Sequence, residues 1–492
     1  MILFFVVLFP IAAALAILLG APARRTALWS AGIILGAILL LCLGFEGSAR
    51  GGYEMVTSFS VSSDWNINFT LGIDGLSLVM LLLTALVLFA AVWFTGEIAQ
   101  HRNAFYACLL FIAAGAIGAF ASIDLFFFYA FHELALIPTF LLIGIWGTGD
   151  RQLAAWKITI YLATGSFILL LGLIMLYRAI PETARSFDFR VLQQSAILIP
   201  AKAQGNIYLV LLLGFGILVS LFPFHTWAPQ AYASAPAPAA MLHAGVLKKF
   251  GLYGLLRLAL PLLPAGAQQY NTLLIYLLLA NIIYVGLVTI AQKRLDWMLG
   301  YSSVMHMGYI FLGIASGTLV GTSGAAVLIF AHGISIALLF AIAGEVRQRA
   351  GTLMLEDLGG LGKLMPQAGF AFGLAAFASI GLPGFANFAG EVMVLFGTFR
   401  NGANPEHFTI YQWATVLGLW GVVISAVYML RAYRAVFMGS MGESVSAVTD
   451  LRRDLRIPIG LLAAITIWVG FFPQTFVRLV TPTFKTYFAA KQ

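Results

Sequence analysis

Stretch after stretch of about twenty apolar residues, parted by short polar punctuation, leaves this chain one environment to fold in. A helix needs about 20 such residues to cross a bilayer. Runs of that kind are centred near residues 11, 36, 84, 111, 134, 166, 213, 246, 282, 308, 332, 379, 422 and 466. The pattern predicts an all-α, polytopic membrane protein of about fourteen transmembrane helices. Of 492 residues, 61% are hydrophobic and 9% charged, against about 25% charged in soluble domains. A soluble domain could not hide that apolar surface from water. The longest stretches between spans, roughly 46–72, 179–203 and 436–456, are too short for a separate domain.

A net charge of +8 and a pI near 9.4 would suggest nucleic acid in a soluble chain. Here the basic residues gather in short loops and report orientation instead. Loops after odd-numbered spans hold Arg24, Arg25, Arg102, Arg151, Lys293, Arg294, Arg347, Arg349, Lys363, Arg452, Arg453 and Arg456. They are expected on the cytoplasmic side of a bacterial inner membrane, with both termini on the other. Arg178, Arg185, Arg190 and Lys202 break the rule. Met1 to Gly20 has no basic residue before its apolar core, while Arg24 and Arg25 follow it. That order fits a retained first span rather than a signal peptide.

No cofactor or metal is expected in this chain. Cys42 and Cys108 stand in apolar runs without partners at metal-ligand spacing, which excludes a cysteine-ligated iron–sulfur cluster. Neither a dinucleotide fingerprint nor a Walker A loop occurs. Redox chemistry or ATP hydrolysis would have to belong to partner subunits.

Two spans are interrupted alike, by LVSLFPFHTWAP at 218–229 and SIGLPGFANFAGE at 379–391. Proline and glycine inside a span free backbone groups that lipid cannot satisfy. Matching breaks in two halves of a transporter point to its ion site; the plainer reading is two packing kinks. Pro223 and Pro383 stand 160 residues and five spans apart. An odd number of helices per unit makes the second unit start from the opposite face. The expected organisation is a three-helix segment over 1–100, a first five-helix repeat over 101–262, an inverted second repeat over 263–437, and a last span over 438–492.

An ionisable side chain at a helix centre costs about 2.5–3.5 kcal/mol, so each one needs a reason. Glu133 lies in FYAFHELALIP, Lys157 in AAWKITIYL, Lys248 and Lys249 in HAGVLKKFGLYG, and Glu391 just after the second break. His243, His306 and His332 have apolar surroundings. Lys157 has a second reading, snorkelling to the surface, and His243 another, a satisfied core histidine. A proton carrier needs a movable pKa, and burial and pairing push lysine and glutamate in opposite directions. A Glu–Lys pair at 4 Å is worth about 4 kcal/mol at an effective dielectric near 20, roughly three pKa units. Making or breaking such a pair switches a buried lysine between holding and releasing a proton.

The motifs also carry a resemblance. GIDGLS (72–77), FHELALIPTFLLIGIWG (131–147), FPFHTWAPQAYASAPAP (222–238), GVLKKFGLYGLLR (245–257), GYSSVMHMGY (300–309), AHGISIALLF (331–340) and GLPGFANFAGE (381–391) occur in that order. Over about 70–440 the chain resembles the antiporter-like membrane subunits of respiratory complex I, of the bacterial subunit M type. The resemblance implies two inverted five-helix repeats and a mid-membrane row of charges. Glu133, Lys249 and Glu391 match the acidic, basic and acidic positions of that row, and Lys157, His306 and His332 match further polar positions. It implies NADH, FMN, iron–sulfur and quinone sites on partner subunits, neighbouring antiporter-like subunits as partners, and H⁺, or Na⁺, as the ion.

Five positions depart from that pattern. Leu218 stands where the family has a lysine, five residues before the proline of P-x-H-x-W, and Ser220 where it has a proline. Lys248 stands where an apolar residue is usual, and is expected to reach back and replace the missing lysine. In QKRLDWMLGYSS, Arg294 and Asp296 exchange the usual signs and are expected to keep a loop ion pair. The leading reading is therefore a proton-translocating subunit of a complex I-type NADH–quinone oxidoreductase. The alternatives are an Mrp-type cation/proton antiporter subunit, the membrane arm of a hydrogenase complex, and a structural scaffold.

Overall fold

The computed structural model describes residues 1–47, 52–62, 67–402, 404, 406–441 and 448–489. Parts of the 46–72 and 436–456 loops lie outside the described residues. Helices α1 Ile2–Leu18, α2 Ala23–Gly44, α3 Gly75–Phe94, α4 Arg102–Ala121, α5 Leu125–Trp146 and α6 Arg151–Ala179 come first. Then follow α7 Phe189–Ser195, α8 Ala201–Val219 and α9 Trp227–Ser234. The next run is α10 Ala237–Leu242, α11 Lys249–Gly254 and α12 Leu260–Leu262, joined by π-helical turns at His243–Leu247 and Leu255–Ala259. A third π segment, Ala280–Val285, joins α13 Pro264–Leu279 to α14 Gly286–Ala291. The chain continues through α15 Leu295–Ala315, α16 Leu319–Ala350, α17 Leu361–Leu364, α18 Pro366–Ile380, α19 Ala386–Arg400, α20 Ile410–Phe437, α21 Arg456–Phe471 and α22 Gln474–Ala489.

Eleven helices among the described residues are long and apolar enough to cross a membrane, so this is a helical multi-pass membrane protein. Each centre read from the sequence falls inside a helix. Two elements were not foreseen. The 46–72 loop carries an antiparallel hairpin, β1 Glu54–Ser62 with β2 Ile67–Ile73; its strands are too short and too polar to form an apolar run. Residues 438–492 hold α22 beyond the last span, because its apolar residues recur at helical spacing rather than continuously. Phe476, Val480 and Phe484, four residues apart, are its buried stripe.

The core is built around α16, whose most apolar window is wholly buried. It packs against α3, α10, α15, α18, α19, α21 and α22. Small residues allow the close approaches: a Cβ on Gly324 or Gly390 would press into the facing helix at 2.6 Å and 2.9 Å. Helices α5 and α6 lie at the edge, with Trp156, Ile160 and Phe167 exposed as lipid or a partner subunit would require. One buried ion pair locks α3 to the α11–α12 run: Arg257 donates to Asp74 at 2.6 Å and 2.7 Å. Asp74 also caps α3, accepting from the Ser77 amide at 2.9 Å. Removing one member of such a pair typically costs about 3–5 kcal/mol.

Both interrupted spans are real breaks, and each is satisfied by a neighbouring helix rather than by lipid. Helix α8 ends at Ser220, whose φ of 68° is left-handed and closed to proline. Asn281, from the third π segment, donates to the Ser220 carbonyl (3.1 Å) and accepts from the Phe222 amide (2.7 Å). Trp227 donates to the Ile217 carbonyl at 3.1 Å. At the second break, Gly381 and Gly384 take φ of 79° and 86° between α18 and α19. There His306 donates to the Ser379 carbonyl at 2.8 Å.

Candidate functional site: a buried polar axis between the two breaks

The axis starts at Glu133, on the outward side of α5, with its side chain 37% exposed. Its carboxylate is bonded by the Ser166 hydroxyl, which lies 3.2 Å from the Tyr129 hydroxyl. His132 Nδ1 stands 3.7 Å from the same carboxylate. The His132 ring is buried and stacks on Phe250, with centroids 4.0 Å apart. On α6, Lys157 turns inward and donates to Gln230 of α9 at 3.1 Å. That bond ties its ammonium to the segment following the first break.

Lys248 and Lys249 occupy the middle, 1% and 0% exposed. They follow the His243–Leu247 π turn, a wide turn that inserts a residue into the helical register. Lys248 Nζ donates to Ser303 Oγ at 3.4 Å and lies 5.6 Å from the centre of the Tyr232 ring. Tyr232 meets His243 Nδ1 at 3.2 Å. Lys249 points into the second half, 2.8 Å from His332 Nδ1 and 3.7 Å from the Met307 sulfur. An ammonium can donate across the Lys249–His332 contact to the neutral ring, or the ring to a neutral amine. The bond therefore survives passage of a proton from one to the other.

His332 and His306 face each other with centroids 5.3 Å apart. His306 Nδ1 and Nε2 each lie 2.8 Å from a carbonyl oxygen, of Ser302 and Ser379 respectively. Carbonyls only accept, so a ring that makes both bonds carries both N–H protons. The protonation state of the ring is thus tied to the backbone of the second break. Past that break the Glu391 carboxylate rests against Gly381, where a Cβ would overlap it. Asn387 is fully buried, with no hydrogen-bond partner for its amide among the described residues.

The structure thus brings Lys249, His332 and His306 into one row, with Lys248 adjoining it. Glu133 and Lys157 stand apart, on hydrogen bonds to Ser166 and Gln230, and Glu391 sits at the far break. Lys248 and Leu218 line one cavity, but Lys248 makes no ion pair with Glu133 among the described residues. Arg294 and Asp296 do keep an ion pair at 2.8 Å, which Arg347 joins from the end of α16. His132, Ser166, Tyr232 and Ser303 were missed. Of these only His132 left a trace, a polar residue beside Glu133 in an apolar run; hydroxyls raise no hydropathy signal.

A buried, ionisable row running toward broken helices defines an antiporter-like membrane protein. Residues 122–418 match the family described as NADH:quinone oxidoreductase/Mrp antiporter, TM. NADH-quinone oxidoreductase subunit M of Rickettsia conorii is 33% identical over 434 residues, 88% of this chain and 85% of the relative. F(420)H(2) dehydrogenase subunit M of Methanosarcina mazei is 34% identical over 446 residues, 89% of this chain and 88% of the relative. A chain of respiratory complex I from Thermus thermophilus superposes with a TM-score of 0.90 at 28% identity, covering 99% of both chains. The chain belongs to the NADH:quinone oxidoreductase/Mrp antiporter transmembrane family.

Proposed function

We propose that the chain is a proton-translocating subunit of a complex I-type NADH–quinone oxidoreductase in a bacterial inner membrane. Glu133, Lys157, Lys248, Lys249, His306, His332 and Glu391 would form its path. The observation that carries this reading is the buried Lys249–His332–His306 row, a hydrogen-bond contact followed by two facing rings, which ends on the backbone of the second break. Residues 101–262 and 263–437 would be two inverted units meeting at that row. NADH, FMN, iron–sulfur clusters and quinone would sit on partner subunits, beside neighbouring antiporter-like subunits. The driving reaction is theirs; this chain supplies groups that pick up, hold and release protons.

The test is made on the assembly purified from its own membrane and reconstituted into vesicles. Flavin and iron–sulfur subunits should co-purify, and NADH oxidation by quinone should acidify the lumen. Lys249→Met should lower protons moved per electron pair by roughly tenfold or more at this subunit's step, with assembly unchanged. Unchanged pumping in that variant would sink the reading. The relative acting in an F(420)H(2) dehydrogenase leaves the electron donor to partner subunits. The family description admits an Mrp-type antiporter; co-purification of membrane subunits alone, with Na⁺/H⁺ exchange and no redox centre, would select it.

A further inference from the structure

A cavity of about 10 Å³ lies between α5, α6, α8 and the His243–Leu247 turn, lined by His132, Leu162, Leu218, His243 and Lys248 among others. That is close to the least room that holds one water, which needs two to four polar partners. His132, His243 and Lys248 supply them, two from one helical run and one from α5. His132 is 6% exposed, and among the described residues its Nδ1 makes no close hydrogen bond, the Glu133 carboxylate at 3.7 Å being its nearest polar partner. A buried ring nitrogen without a full hydrogen bond costs free energy, so its retention calls for a reason. The Phe250 stack holds the ring between carboxylate and cavity.

We propose that His132 relays protons between Glu133 and Lys248 through one water held in this cavity. The Glu133 carboxylic acid passes its proton to Nδ1 and is left a carboxylate, while the ring becomes an imidazolium. The ring then releases its Nε2 proton to the cavity water, which gives one of its own to the Lys248 amine. Lys248 becomes an ammonium, and its bond to Ser303 leads onto α15, the helix that carries His306. The ring returns to its first tautomer before the next proton. Two nitrogens on opposite sides of one ring let histidine join partners that do not touch. This relay bridges the gap between Glu133 and the lysines, and it rests on the reading of the chain as a proton translocator.

The test uses the whole assembly in inverted membrane vesicles, with quinone reduction and lumen acidification followed together. His132→Phe keeps the stack on Phe250 and removes both nitrogens; Glu133→Gln, run beside it, tests the wider reading. We expect His132→Phe to slow proton uptake by at least about tenfold with normal assembly. Leu218→His in the His132→Phe background returns an imidazole to the same cavity from α8 and should restore most of the rate, which a packing role would not allow. Wild-type pumping in His132→Phe with loss in Glu133→Gln overturns the relay alone. Loss in His132→Phe without rescue, where His243→Phe is equally inactive, overturns it in favour of a structural cluster. Normal pumping in both His132→Phe and Glu133→Gln overturns the translocator reading itself.

Discussion

Asp124 shows how far one residue's surroundings decide its chemistry. It is the N-cap of α5, buried, and accepts from the Phe126 and Phe127 amides at 2.9 Å and 3.1 Å. Burial pushes its carboxyl up to about 6 against those two donors, and the neighbouring Asp188 carboxylate adds to the rise. The folded value lies above the ordinary 3.8, so the fold favours the protonated acid. That contribution is complete below about pH 3.8 and is lost as pH rises through about 6. Asp124→Asn keeps a cap and removes the charge. It should stabilise the detergent-solubilised protein on the order of 2 kcal/mol at pH 8 and far less near pH 4, read as Tm at the two pH values. A lower Tm at pH 8 would show that the ionised carboxylate strengthens the cap. Nothing in the sequence separates Asp124 from any other helix cap, because burial of a loop carboxylate depends on what folds over it.

Among elements, the two breaks repeat one solution with different parts. Asn281 holds the first and His306 the second, each reaching from a neighbouring helix to a carbonyl that the interruption frees. The first carrier is neutral and the second is ionisable, so of these two carriers only His306 can take up a proton. Gly381 tests the coupling. Its φ of 79° disfavours any side chain, and a Cβ there would also overlap the Glu391 carboxylate. Gly439 has a similar φ of 84° with open space around it. Gly381→Ala should therefore reduce pumping severely, whereas Gly439→Ala should cost about 1–2 kcal/mol of backbone strain and leave pumping intact. Equal effects on pumping would separate Glu391 from the break. The positions of both breaks were legible, the first from Pro223 and Pro229, the second from Pro383 between Gly381 and Gly384. The side chains that satisfy them were not, since Asn281 and His306 come from other spans.

For the molecule as a whole, the basic loops make a prediction about orientation. Arg347, itself in one of them, reaches two others on the same side, bonding Thr148 at 2.8 Å and Asp296, and also the Ala233 carbonyl of α9 at 3.0 Å. Single cysteines in place of Arg151, Lys293 or Arg453, in a chain without Cys42 and Cys108, should react with an impermeant thiol reagent from the cytoplasmic side only. A cysteine in place of Arg190 should react only from the other. The reverse pattern would invert the topology. Two of the arginines that break the charge rule are bound within their own loop: Arg190 to Asp188 at 2.6 Å, and Arg185 to the Ile180 carbonyl at 2.9 Å. Local pairing explains how positive charge is tolerated there.

The sequence by itself determined the environment, the helical class, the breaks and which ionisable residues are costly enough to need a use. Each of those is a property of a residue and its near neighbours along one helix, set by the transfer cost of polar groups into lipid. Only the tertiary structure decided which of those residues meet. Lys249 finds His332 across 83 residues, while Lys248, one residue earlier, shares its cavity with Leu218 and His132 instead of pairing with Glu133. Such contacts depend on helix rotation, on the π turn before the lysines, and on the small residues that let α16 sit at the centre. None of these leaves a mark on local hydropathy.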